Sequence, residues 1–433
     1  MWNILKLAAR NLTRYQRRTL LTSALITLGI VAVLLFIAVA GSFKNAMIAE
    51  FTDSVLGHLQ VHRRGYVASI DNLPLNLNLA PPQVRKIEEA LGAIAGVEAY
   101  SERIKFGALF SNFVETTNIR LSAIDPEQEQ RTVPLLRGRI TEGAKDGPLV
   151  TPGHILIPEL LARGMKVKLG DTVVLVATNR DGSVNGQQFV VSGVLGTISG
   201  PNGRDGYIHI QNGRTLLRMT QPEVTEIAIR LHSLADIPAV NKALRGALSD
   251  MMGQGPESGN AGQGPAAGQK NPAGRPLVEV HTWDALSPFS TIARMIDLLT
   301  VFIQVMLVGI VLISIMNVMI MAVFERVREI GTMAAIGTLP SRILGLFLAE
   351  GLLLGLLGAA VGTAISLACI WLLNLVKVRF SFGMQQNLVL APSIGVANIL
   401  LVAAVVVLVA VLASLQPAFK ASRMDPIAAL RHV

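Results

Sequence analysis

The sequence predicts an integral membrane protein: four transmembrane α-helices plus a large α+β extracytoplasmic domain between the first and second spans. Three observations carry that prediction. Hydrophobic residues make up 51% of the chain and charged residues only 15%, a membrane-like balance. Four apolar runs, at 19–43, 298–323, 343–376 and 393–416, each exceed the roughly 20 residues that cross about 30 Å of hydrocarbon. The region between the first two, 44–287, alternates strand-like and helical patterns instead.

The head, 1–18, is basic and amphipathic, with Lys6, Arg10, Arg14, Arg17 and Arg18 and no acid. Ala38-Val39-Ala40 has the look of a signal cleavage site, but the run before it is far longer than the roughly 7–15 residues of a signal core. It is read as a retained first span. Charge then sets the topology. Between Lys44 and Asp284 there are 24 basic and 24 acidic side chains, so the formal excess of +9 lies outside that segment. It concentrates in the head, the loop 324–342 and the tail 417–433, which the positive-inside rule places in the cytoplasm. The large domain is then outside, and topology rather than nucleic-acid binding explains the basic balance. The one cysteine, Cys369, lies in the third span, so no disulfide can staple the domain.

Within the domain, strand patterns recur at 58–62, 103–110, 114–124, 172–176, 188–194, 207–210, 226–231 and 277–280. Helical pieces lie near 82–91, 159–164, 213–219 and 237–251. Two subdomains are expected, the more β-rich one (133–210) inserted into the other. Residues 253–274 are nearly all Gly, Pro, Ala, Gln and Asn, the composition of a flexible linker. His58 and His62 alternate with Leu59 and Val61, which indicates a strand. There, i and i+4 stand about 13 Å apart, too far to share an ion. No metal site and no catalytic constellation is expected, and the Walker pattern G-x-x-x-x-G-K-[ST] does not occur.

The second span extends upstream to 288 with no helix breaker except Gly309, and nearly 60 Å of helix is about twice the hydrocarbon thickness. A stalk is expected, with Arg294 and Asp297 paired at its polar boundary. Met295, Leu299, Phe302 and Met306 share one helix face, a soft surface suited to acyl chains or to ordinary packing. The loop 324–342, FERVREIGTMAAIGTLPSR, sets Val327, Ile330, Met333 and Ala334 at helical spacing and predicts a short amphipathic helix. In the third span Gly351, Gly355, Gly358 and Gly362 form two small-xxx-small pairs for close helix approach. Glu350, an acid inside an apolar run, is expected to pair with Arg342 or a partner's basic group. A short loop, 377–392, leads to the fourth span. In the tail, Asp425-Pro426 is an N-cap with proline at the first helical position.

ERVREIGTMAAIG resembles the signature of FtsX-like ABC transporter permeases, an E-R-x-R-E-I-G run followed by A-x-G. AEGLLLGLLGAAVG resembles the start of that family's third span, and PAFKASRMDPIAALRHV its ending. IPELLARGMKVKLGDTVVL is similar to an element of the MacB-like periplasmic core domain, and HTWDALSP to the lead-in of the second span in the lipoprotein-releasing branch. The resemblance covers nearly the whole chain.

It implies a multi-pass permease of a bacterial inner membrane, of the mechanotransmission type. The chain would pair with a second permease chain, the same or paralogous, and bind a dimer of cytoplasmic ABC ATPase subunits. ATP and Mg would sit on that partner, and no cofactor on this chain, which is not itself an enzyme. Glu325, Arg326, Arg328, Glu329, Ile330, Gly331 and Gly337 become the ATPase-coupling residues by position in the motif. Met295, Leu299, Phe302 and Met306 become the candidate cargo face. Cargo would be a lipoprotein or another lipid-linked or hydrophobic molecule, passed to a periplasmic carrier. The alternatives are an FtsX-like scaffold that activates a cell-wall hydrolase and a MacB-like efflux permease.

Overall fold

An apolar helix propagates until a breaker or a cap stops it, and the first span runs further than its hydrophobic composition requires. The computed structural model describes residues 2–14, 16–143, 146–196, 205–252, 277–287, 289–382 and 385–431. The linker expected at 253–274 lies outside them. Two compact units form: Met1–Ala46 with Ala293–Phe380 and Leu388–Val433, and Met47–Ile292 with Ser381–Asn387. The head carries α1 (Trp2–Arg14), and α2 takes Gln16–Phe51, followed by a π-helical stretch, Thr52–Leu56. The 36 residues of α2 reach about 54 Å. The first span is thus overlong as well as the second, where only the second was expected to be.

The second unit is the α+β domain. Its strands are β1 (Leu59–Arg63), β2 (Val97–Ser111), β3 (Thr116–Ile124), β4 (Ile140–Gly143), β5 (His154–Pro158), β6 (Thr172–Thr178), β7 (Val184–Leu195), β8 (Asp205–His209), β9 (Glu226–Leu231) and β10 (Val278–Thr282). Its helices are α3 (Pro81–Ala93), α4 (Pro126–Thr132), α5 (Glu159–Gly164), α6 (Ile210–Leu216), α7 (Ile237–Ala247), α8 (Ser249–Met252) and α9 (Trp283–Leu286). The strands join in one sheet, ordered β10-β1-β9-β2-β3-β8-β5-β7-β4, with β6 pairing both β2 and β7. That double pairing closes β2, β3, β8, β5, β7 and β6 into a ring, which leaves none of the six with two free edges. β9, β1 and β10 extend as an open wing from β2. The inserted subdomain expected at 133–210 is therefore not separate. Its strands share a barrel with β2 and β3, because β2 pairs β9 with its first half and β6 with its last residues.

Alternation explains the core. Along β2, Ile104, Phe106, Ala108 and Phe110 point to one side and are buried, the period of two that a pleated strand imposes. α3 lays Val84, Ile87 and Leu91 onto the same core, and α7 adds Val240 and Leu244.

The first unit resumes near the start of α10 (Phe289–Glu325), which passes Gly309 unbroken for 37 residues. Asp297 does not pair with Arg294. It accepts from Lys44 Nζ of α2 at 2.6 Å, which ties the first and second spans. Then come α11 (Val327–Ala335), α12 (Pro340–Val376), the two-stranded β11 (Arg379–Phe382) and β12 (Gln385–Val389), α13 (Val396–Ser422) and α14 (Pro426–Arg431). α13 carries Pro417 inside it and runs past the expected end of the fourth span. Asp425 caps α14, its Oδ1 accepting from Ile427 N at 3.0 Å.

The glycine stripe of α12 has two partners. A methyl group on Gly355 would stand 2.8 Å from Ala410 Cβ of α13, and one on Gly362 would stand 2.9 Å from Ile30 Cβ of α2. Gly351 likewise faces Ser414 of α13 and Gly358 faces Ile26 of α2. One pair serves each neighbour.

Candidate functional site

Helix α10 ends because Arg326 leaves helical geometry, at φ −112° and ψ 19°. That single residue separates α10 from α11. The end of α11 is equally defined. Gly337 has φ 91°, its N–H donates to Ala334 O at 3.0 Å, and Thr338 N donates to Met333 O at 3.0 Å. This is a Schellman closure, in which a left-handed residue satisfies the last carbonyls. Glycine is required there because a side chain would be strained at that φ.

Of the seven coupling residues named from the motif, six divide into two sets and Glu329 is half-buried. Glu325, Arg328 and Gly337 face outward with Thr332, Leu339 and Arg342, and Ile336 is 85% exposed. Arg326, Ile330 and Gly331 face inward and are buried. Ile330 joins a core that includes Leu12, Ile343 and Phe347. Arg326 is the larger surprise, since an arginine in a docking motif was expected to face a partner. Its Nη1 donates to Glu350 Oε1 at 2.8 Å and its Nε to Glu329 Oε2 at 2.9 Å. Its guanidinium carbon lies 5.6 Å from the centroid of the Phe347 ring, within cation–π range.

Glu350 is fully buried and pairs with Arg326 rather than Arg342. Arg342 is exposed on the same helix, eight residues or about 12 Å along the axis, so it cannot easily share that burial. A second donor reaches the same carboxylate: Asn11 Nδ2 of α1 donates to Glu350 Oε1 at 2.7 Å. Arg14 of α1 stands 3.6 Å from Glu329. Asn11 and Phe347 carried no sequence signal of their own. α14 also packs against α11.

The face of Met295, Leu299, Phe302 and Met306 is open: all four are more than half exposed in the single chain.

The α+β domain holds a second buried ionic cluster. Arg103 donates from Nε to Glu129 at 3.0 Å and from Nη1 to Glu226 at 3.1 Å and to Val55 O at 2.6 Å. Lys105 Nζ stands 3.2 Å from Glu226. Burial alone would raise the Glu226 pKa, but Lys105, His62 and Arg103 outweigh it and hold the carboxyl well below its usual range. Burial lowers the pKa of His62 despite Glu226 at 3.5 Å. It also pushes Tyr207 up to about 12. His58, just before β1, takes a different partner, Asp53 at 3.4 Å. The two histidines thus serve separate contacts.

Residues 19–247 match the family model of the MacB-like periplasmic core domain, and 301–426 match that of the FtsX-like permease C-terminal region. The lipoprotein-releasing system transmembrane protein LolC of Neisseria meningitidis is 22% identical over 96% of this chain and 94% of its own length. The ABC transporter permease YtrF of Bacillus subtilis is 38% identical over 30% of this chain. MacB, the macrolide export ATP-binding/permease protein of Nitrosomonas europaea, is 30% identical over 56%. The matches span only 31% of YtrF and 33% of that MacB. Among solved structures, the periplasmic region of MacB from Actinobacillus actinomycetemcomitans aligns with 58% of this chain and 98% of that chain, at 10% identity and a TM-score of 0.34. With four candidate spans, a MacB-like core domain between the first two and an FtsX-like region over the rest, the chain belongs to the FtsX/MacB family of ABC transporter permeases.

Proposed function

We propose that this chain is a mechanotransmission permease that couples ATP hydrolysis on separate cytoplasmic subunits to extraction of a lipoprotein or other lipid-linked cargo on the periplasmic side. The observation that carries this reading is the pair of overlong, uninterrupted helices at the ends of the core domain, α2 with 36 residues and α10 with 37. Such helices carry displacement along their length, where a flexible linker would absorb it. The outward stripe of α11 is the surface offered to the ATPase. The near full-length similarity to LolC supports lipoprotein as the cargo, and the open Met/Phe face of α10 supports contact with acyl chains.

The test is depletion of the chain in its host, with lipoproteins followed by membrane fractionation. The reading expects them stranded in the inner membrane and an ATPase to copurify with the chain. Intact lipoprotein sorting with a loss of drug or toxin efflux contradicts it in favour of an exporter. Direct capture of a cell-wall hydrolase, with no cargo moved, contradicts it in favour of a signalling scaffold.

A further inference from the structure

We propose that Glu350 is the positioning residue of the coupling site: it clamps the start of α11 through Arg326 and α1 through Asn11, so that α1, α11 and α12 move as one body. This rests on the coupling reading above and adds α1, the amphipathic head, to the moving parts.

The geometry is that of a pinned hinge. Arg326 is the residue whose backbone breaks the helix between α10 and α11, and a break of this kind ordinarily frees the two segments to swing. Here the side chain of the breaking residue is held by a fully buried carboxylate at 2.8 Å. Charge-assisted hydrogen bonds are the stronger kind, and separating this pair would strand a charge in a buried setting. A push on the outward stripe of α11 therefore reaches α12 before the hinge can yield. Asn11 puts α1 on the same oxygen at 2.7 Å. Glu329 fastens α1 again, between Arg326 and Arg14. From α12, Gly351 and Gly355 lie against α13, and Gly358 and Gly362 against α2. Displacement of α12 is thus handed to α2 by direct contact.

The experiment uses the whole chain in lipid nanodiscs without any ATPase, with Cys369→Ser and spin labels on Thr332→Cys in α11 and Leu356→Cys in α12. The expected distance distribution is single and narrow. Glu350→Gln is expected to broaden it, raising the swung population about five- to tenfold, the range of ordinary coupling between sites. Asn11→Ala is expected to broaden instead the distance between labels on Leu7→Cys and Leu356→Cys. The double variant Arg326→Met with Glu350→Leu keeps the proposal falsifiable where Glu350→Gln misfolds. It leaves no unpaired buried charge, so a pair that only stabilises the fold predicts a distribution as narrow as the parent's. The clamp predicts a broad one, and a narrow distribution in the double variant overturns it. Because the distances need no nucleotide or partner, this result is decided apart from the proposed function, which fails if no ATPase copurifies.

Discussion

The two buried ionic clusters of this chain are built alike and placed differently. In the α+β domain, Arg103 and Lys105 lie on β2, Glu226 on β9, His62 on β1 and Glu129 on α4. β1, β9 and β2 are adjacent strands whose backbone ladders already fix their spacing, so the charges lock a rigid sheet. At the ends of the spans, Glu350, Arg326 and Asn11 come from three separate helices that no backbone ladder joins. There side-chain contacts, together with the short turn between α11 and α12, hold the helices to one another. The same chemistry braces a laddered sheet in one place and joins helices without a ladder in the other.

Arg103→Met tests the first half of that comparison and carries the largest expected effect. It takes the arginine from the fully buried Glu129 and leaves the fully buried Glu226 to Lys105 and His62, and removal of one partner from such a network costs about 3–5 kcal/mol. Hydrogen exchange on the full chain should show β1, β2 and β9 losing protection together, with α10 to α13 unaffected. Retained protection would mean that the sheet does not depend on the charges.

Next in size is Gly355→Leu. Its side chain must enter a gap where even a methyl group would lie 2.8 Å from Ala410 Cβ, and overpacking typically costs about 1–3 kcal/mol. Cross-linking between α12 and α13 should fall while that between α12 and α2 persists. Gly358→Leu should give the reverse pattern, and identical effects of the two would refute the division of the stripe.

The smallest effect is one of pH. His62 is buried with a folded pKa below its ordinary 6.5, so the unfolded chain takes up the proton first, and stability falls as pH drops below about 6.5. Glu226 is held below its ordinary 4.5. Its contribution is present above that value and is lost as pH falls further. A denaturation series on the full chain should therefore show two successive losses on acidification, and His62→Leu should remove the first. A profile unchanged by that substitution would exclude His62 as its source.

Much of this was legible in the sequence, for physical reasons that can be named. Spans are read from length and apolarity, and β9 and α5 fall at the residues expected, 226–231 and 159–164. β5 was missed because both its faces are covered, Ile155 and Ile157 by the main core and Leu156 by a second cluster with Ile140 and Tyr207, so it shows no alternation. α4 was missed although Asp125-Pro126 repeats the signal that revealed α14 in Asp425-Pro426. The inward turn of Arg326 was written there too: it precedes the buried Ile330 by four residues, which places both on one helix face. Its partner was not. Glu350 is 24 residues from Arg326 and 339 from Asn11, and local spacing carries no information at such separations.

The central claim is that the outward stripe of α11 receives the ATPase while the inward set only holds the helix in place. Quantifying the ATPase that copurifies with Arg328→Glu combined with Ile336→Asp tests it most directly, since both side chains are exposed. The account predicts that bound ATPase falls about tenfold or more, as for truncation of an interface anchor, while the chain stays folded. Wild-type amounts of bound and fully stimulated ATPase would contradict it.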